Sequence, residues 1–269
     1  MKYQASLPEH NDNISHEHPL KDFLLILAAL SVLVVAGIWV LGFMVDAVVD
    51  RLSPETEKRL TGLLAMSAPA PVKALQPREA YIQSLVDSLR SCAGVDTPVT
   101  VRLTSSKDAN ALVMPGGTVL VFSGLLEHVE SENGLAFVLA HELAHLANRD
   151  HLRGMGRGIV IITVATLVTG DGSWTAGLLA PAQQLGESSY SRGRESAADA
   201  LALKALQCRY GHVGGATELF ASLAKDDDTP AIAHYLGSHP SMGARIDAIE
   251  LAIKQAGLRK AGVRALPKP

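Results

Sequence analysis

The 269-residue chain sets 24 Lys and Arg against 27 Asp and Glu, a net charge of −3, and is 48% hydrophobic, which is too apolar for a disordered protein. That slight acidity, with only 4% aromatic residues, argues against a polyanion binder or a base-stacking platform, so no nucleic-acid partner is expected. Two cysteines, Cys92 and Cys208, exclude a disulfide-dense scaffold and a four-cysteine metal site; their sequence positions leave open whether they pair.

In chain order, residues 1–22 are a polar tail whose His10, His16 and His18 read as solvated. Phe23 to Val45 is a run of 23 residues without a charge. As a helix it is about 35 Å long, enough to cross a hydrocarbon core of about 30 Å with some tilt. The run is long for a signal peptide, more acid than base precedes it, and no small-residue cleavage site follows closely. It is therefore expected to be a retained, single-pass transmembrane helix in a lipid bilayer. Lys2 and Lys21 flank one end; Arg51, Lys58 and Arg59 flank the other. This gives a slight vote for a cytoplasmic domain, but the rule is weak before a long domain and the side stays open.

Residues 46–76 are expected to hold a juxtamembrane helix, with Ser53 and Pro54 at a start, and a linker at Ser67 to Pro71. Residues 77–269 read as one domain. A helix is predicted over Arg78 to Cys92, and strands over Val99 to Leu103, Ala111 to Met114 and Thr118 to Phe122. Helices are then predicted over 132–149, 155–169, 190–207, 213–225 and 241–256. A few strands followed by many helices means an α+β, mostly helical fold with a small sheet. The apolar stretch Gly158 to Thr169 is short for a span. It reads as a buried or interfacial helix, or with Trp174 to Ala182 as a hairpin dipping into the membrane.

His141-Glu142-Leu143-Ala144-His145 carries the chemistry. On a helix the two imidazoles share a face and can reach one ion. Glu142, about 100° around, can address a water held by that ion without ligating it. The preceding Leu135 to Ala140 is uncharged, so this is no chance cluster on a solvated surface, and buried His and Glu side chains demand partners or a metal. A catalytic zinc usually takes three protein ligands. About 50 residues on, Glu195 and Asp199 share a helix face. Glu195 is the candidate third ligand; Asp199 is placed to accept from the outer N–H of a ligand histidine. Small residues on both helices, Ala140 and Ala144 on one and Ser196, Ala197 and Ala198 on the other, allow a close approach. Paired with Arg192 and Arg194 on a solvated face, Glu195 and Asp199 would have no such role.

Four blocks occur in a fixed order: Asn110 to Leu126 (NALVMPGGTVLVFSGLL), Phe137 to Asp150 (FVLAHELAHLANRD), Tyr190 to Leu203 (YSRGRESAADALAL) and Ser238 to Ile249 (SHPSMGARIDAI). Together they make the chain resemble the HtpX-, BepA- and CAAX-prenyl-protease-like zinc metallopeptidases, which are membrane-associated gluzincins. The resemblance implies a zincin-like domain with one Zn²⁺ per chain, held by His141, His145 and Glu195. It implies Glu142 as the general base, a polypeptide substrate and, by analogy, a role in membrane or envelope protein quality control. Asp199 takes the place behind a ligand. His239 and Arg245 match residues near the metal, with His239 at the oxyanion or approaching the metal at rest, and Arg245 supporting that loop or the oxyanion. The first block resembles a strand beside the cleft, where Asn110 and Ala111 would lie nearest an extended substrate. The resemblance also leans toward an extracytoplasmic domain. The single predicted span departs from the multi-span members. The alternative function is a zinc-stabilised membrane adaptor that binds clients without cutting them. It would need the ligands but not Glu142. Oligomeric state is not legible.

Overall fold

Helix α1 (Pro19–Arg51) contains the long apolar run and continues past it. At 1.5 Å per residue it extends about 50 Å, well beyond a hydrocarbon core. Its apolar side chains, Leu33 and Trp39 among them, are exposed, and it is the one helix among the described residues long and apolar enough to cross a membrane. The computed structural model describes residues 19–53, 55–57, 59, 72–114, 116–169, 192–225 and 242–267. The expected helical start at Ser53 and Pro54 is found: α1 runs through Asp46 to Arg51, the backbone leaves the helix at Leu52 and Ser53, and it is helical again at Glu55 to Glu57, where the Ser53 hydroxyl accepts from Thr56 N at 3.2 Å.

A short 3₁₀ turn (Lys73–Leu75) leads into α2 (Gln76–Arg90), with Pro77 in its first turn where a missing N–H costs nothing. Three strands follow, β1 (Thr100–Thr104), β2 (Ala111–Met114) and β3 (Thr118–Phe122). Their order is β1-β3-β2, with β1 parallel and β2 antiparallel to β3. The far edge of β1 is occupied by α2: Glu79 accepts from Leu103 N at 2.8 Å and Gln83 from Val101 N at 2.7 Å. That leaves β2 as the edge that faces the rest of the domain.

After α3 (Leu125–His128) comes α4 (Glu132–Ala147), the centre of the molecule. Every residue from Asn133 to Leu146 is buried, as expected of a helix apolar on nearly all sides. Ser131 caps it, its hydroxyl accepting from Gly134 N at 2.9 Å. Phe137 meets Phe220 edge to face at 6.3 Å. Around α4 pack α2, β2, α5 (Asp150–Thr169), α6 (Arg192–Tyr210) and α7 (Glu218–Leu223); α8 (Met242–Gln255) closes over α6 and α7. The architecture is mostly helical with a small mixed sheet.

Two boundaries differ from expectation for identifiable reasons. Helix α5 begins at Asp150 rather than 155, because the chain turns sharply at Arg149 in the left-handed region (φ 56°) and re-enters helix at once. The predicted helix over 213–225 shortens to Glu218–Leu223, because Gly215 takes a positive φ (90°) with its backbone against Asn133 and Gly134. A Cys92–Cys208 disulfide, with Cα atoms 5.8 Å apart, ties the end of α2 to α6. Residues 1–18, Trp174 to Ala182 and the linker Ser67 to Pro71 lie outside the described residues.

Candidate active site

Helix α4 presents His141 and His145 one turn apart, both fully buried, with their Nε2 atoms 2.9 Å from each other. Glu195, in the first turn of α6, sets its carboxylate oxygens 3.5 Å from His141 Nε2 and 3.4 Å from His145 Nε2. The three ligand atoms lie within 4.8 Å of one another. A tetrahedral ion bound at about 2.0–2.1 Å separates neighbouring ligands by about 3.3 Å, so the cluster is the right size for one metal. Ala140, Ala144, Ala198 and Ala202, all buried, let the two helices come close.

The charge balance also fits a cation. Glu142, Asp150, Glu195 and Asp199 are all buried here, and among the described residues the guanidinium groups that face them are those of buried Arg245 and part-buried Arg194. Buried carboxylates in such excess call for a positive partner.

Each candidate ligand histidine is oriented from behind. Asp199 Oδ1 lies 3.0 Å from His141 Nδ1. Asp150 Oδ2 lies 2.9 Å from His145 Nδ1. Burial by itself would push the His145 ring below its ordinary range. The hydrogen bonds to Asp150 and Glu195, and the nearby Glu142 charge, outweigh that and raise it to about 9. Burial would likewise raise Asp199, but His141 and Arg245 hold it below the ordinary carboxylate range.

Arg245, on α8, reaches into this cluster. It forks onto Asp199 at 2.9 and 2.7 Å, contacts Glu195 at 2.9 Å, and stacks over the Phe220 ring at 4.8 Å. Its Nη2 also lies 2.9 Å from His141 Nδ1. Glu195 and Asp199 are thus buried against Arg245 and the histidines, not solvated. His239 lies outside the described residues.

Glu142 points at the sheet, where its Oε2 accepts from Val113 N at 3.1 Å. In the β2–β3 ladder, Asn110 O accepts from Phe122 N. That alternation turns the N–H groups of Ala111 and Val113 to the side of β2 away from β3. Asn110 Oδ1 accepts from Ala111 N at 2.9 Å. Asn110 and Ala111 therefore do sit along the edge, but the main-chain donor at Glu142 belongs to Val113. Sequence reasoning missed Val113 and Asp150. Asp150 stood at the end of the quoted HExxH block, and an acid five residues past the second histidine was the available signal.

A peptidase domain of the zincin class is what this helix pair and strand edge define. The chain belongs to peptidase family M48, whose family model matches residues 76–253. Among curated relatives, it is 33% identical over 141 residues to the beta-barrel assembly-enhancing protease of Yersinia pestis, covering 47% of this chain and 29% of that protein. It is 27% identical over 195 residues to the mitochondrial metalloendopeptidase OMA1 of Bos taurus, covering 66% and 37%. It is 28% identical over 195 residues to mitochondrial metalloendopeptidase OMA1 of Schizosaccharomyces pombe, covering 68% and 56%. The matched segments thus span less than two thirds of the length of each of these relatives.

Proposed function

We propose that the protein is a membrane-anchored zinc endopeptidase. The observation that carries this reading is the convergence of His141, His145 and Glu195, with Glu142 held between that cluster and the edge of β2. Two imidazoles and one carboxylate are a catalytic zinc set rather than a calcium or magnesium set. Zinc, when bound, supplies a Lewis acid that polarises the scissile carbonyl and makes a water acidic near neutral pH. Glu142 takes the proton of the attacking water and delivers it to the leaving amine. Asp150 and Asp199 fix the tautomers of His145 and His141. Arg245 acts as a positioning residue that holds Glu195 and Asp199 together, and His239 is assigned to the oxyanion. An extended polypeptide adding to β2 would take over the outward N–H groups of Ala111 and Val113, which Asn110 Oδ1 and Glu142 Oε2 hold in this structure.

Membrane anchoring rests on α1, and a role in quality control of membrane or envelope proteins rests on the resemblance to the family, one relative of which is named for enhancing beta-barrel assembly. The Cys92–Cys208 bridge favours an oxidising, extracytoplasmic location for the domain. It outweighs the Lys and Arg count around α1, which loses force before a long domain.

The test compares the purified full chain with Glu142→Gln on unfolded casein, with zinc quantified in both. The expected result is chelator-reversible cleavage by wild type alone, at equal zinc content, with the variant slower by at least about a hundredfold. Near-normal turnover by Glu142→Gln would remove Glu142 from the base role. Zinc in both without cleavage would favour the adaptor reading.

A further inference from the structure

Helix α5 leaves the metal-ligating helix at Asp150 and runs back along α1. Arg149 donates to the carbonyls of Val49 and Leu52 at 3.0 Å each. One turn on, Arg153 reaches Asp50 at 2.5 Å and the Asp46 carbonyl at 3.2 Å. Arg157 reaches Asp46 at 2.5 Å. Further on, Val160 and Ile161 share a small cavity with Ile38, Trp39 and Gly42. Each step forward in α5 is therefore level with a step back in α1. The helices press together at Gly156, where a Cβ would come within 2.5 Å of a Val45 methyl.

The part of α1 that α5 runs beside is its apolar span. Beyond Arg157 no charged residue occurs in α5 through Thr169. Ile159 and Leu167 are 56% and 78% exposed, so this stretch is not buried in the peptidase core. Thr163 and Thr166 donate their hydroxyls to the carbonyls of Ile159 and Ile162, at 2.8 and 2.9 Å. Ser31 in α1 does the same to Leu27. This self-satisfaction is what a helix needs where no water is present. From Arg157 the helix rises about 18 Å, over half the depth of a hydrocarbon core and too little to cross it.

We propose that α5 beyond Arg157 is a half-span, inserted beside α1 in the leaflet on the peptidase side, with lipid acyl chains covering its exposed face. The ion-pair collar of Arg153 and Arg157 with Asp46 and Asp50 then lies among the headgroups. Asp150, which opens α5, also holds the His145 ring, so the candidate metal site sits at the membrane surface. Its substrates are polypeptide segments at the bilayer rather than chains free in solution. The inference rests on α1 being a span, but not on catalysis.

The experiment uses the full chain, with its disulfide intact, in phosphatidylcholine–phosphatidylglycerol vesicles. Spin labels are placed singly by Val35→Cys, Ile159→Cys, Leu167→Cys and Lys254→Cys, and collisions with oxygen and with a water-soluble nickel chelate are measured. Zinc content of each labelled protein reports that it is folded. The expected result is loss of nickel access at Val35 and Leu167 relative to Lys254, gain of oxygen access at both, and a deeper position for Leu167 than Ile159. Nickel access at Leu167 with Val35 in lipid overturns the half-span and leaves the anchor standing. Nickel access at both overturns the anchor and the half-span together. Shielding of Leu167 from both agents means that protein covers it, a second copy or another part of the chain, and also overturns the proposal.

Discussion

Two buried side chains beside the candidate metal cluster behave oppositely. Asp150 is satisfied twice, by His145 Nδ1 at 2.9 Å and by Arg194 at 3.7 Å. Its neighbour His151 is buried with neither ring nitrogen hydrogen-bonded. Removing the acceptor behind a ligand histidine frees its tautomer and lowers its basicity, which typically costs 10–100-fold in metal affinity. Asp150→Ala is therefore expected to weaken zinc about that much in a chelator-competition titration. Asp150→Asn, whose amide oxygen still accepts, should fall in between. Wild-type affinity in Asp150→Ala would remove Asp150 from that role. His151 yields a pH effect instead. Burial pushes its ring down to about 4, against an ordinary 6.5. The unfolded chain thus binds the extra proton first, and this contribution to stability is full above 6.5 and lost as pH falls from 6.5 toward 4. At pH 5 the loss from this one group is about 2 kcal/mol. Urea unfolding at pH 7.5 and pH 5 should show a smaller drop for His151→Leu than for wild type; equal drops would count against it. The sequence made the two histidines, Glu142 and Glu195 legible because helical periodicity alone sets their faces. It did not reveal Asp150's position, because that depends on the left-handed turn at Arg149. Nor did it reveal Val113 at Glu142, a contact between a strand edge and a helix.

At the scale of elements, the strands were legible to within a residue, because each is a short run containing Val and bounded by turn residues. The end of α1 was not. Asp46 and Asp50 bound the expected span and a separate helix was expected after it, yet α1 runs through both to Arg51, and Arg153 and Arg157, about a hundred residues away, pair with them. The start of α4 depends on another distant partner. Glu218, from α7, accepts from Glu130 N, Ser131 N and the Ser131 hydroxyl at 2.6, 2.8 and 2.5 Å. Gly134 makes room for it, since a Cβ there would lie 2.6 Å from Glu218 Oε1. Gly to Ala inside a helix ordinarily gains about 1 kcal/mol. Here displacing Glu218 forfeits hydrogen bonds and forces the α4–α7 contact apart, which outweighs that gain. Gly134→Ala is expected to lower stability by about 1–3 kcal/mol, read from the denaturant midpoint. Because α4 carries both histidines, zinc content should fall with it. A stabilised Gly134→Ala would mean that Glu218 moves aside freely and that the cap is set by Ser131 alone.

The whole molecule joins a long apolar helix to a helical domain, and the domain is closed by a bond that no local pattern foretold. Cys92 and Cys208 are 116 residues apart in sequence, on elements whose approach is decided only when α2 and α6 pack against α4. Arg209 Nε donating to Ser88 at 3.1 Å marks the same seam. The bridge encloses β1, β2, β3, α4 and α5, and so both histidines, with Glu195 between them and Cys208. A cross-link over so long a loop restricts the unfolded chain strongly, by about 4–5 kcal/mol in the chain-entropy account and about 2–4 kcal/mol in typical measurements. The Cys92→Ser/Cys208→Ser double variant should therefore unfold at lower denaturant by about 2–4 kcal/mol. It should still bind zinc when folded, since neither sulfur touches the cluster. The same bond constrains topology. A structural disulfide persists only where the compartment is oxidising. In intact cells, thiol alkylation followed by a mass readout should find both cysteines unmodified until reductant is added. Two free thiols in the native cell would place the domain on the reducing side, and the slight excess of Lys and Arg after α1 would then be the better guide to its orientation.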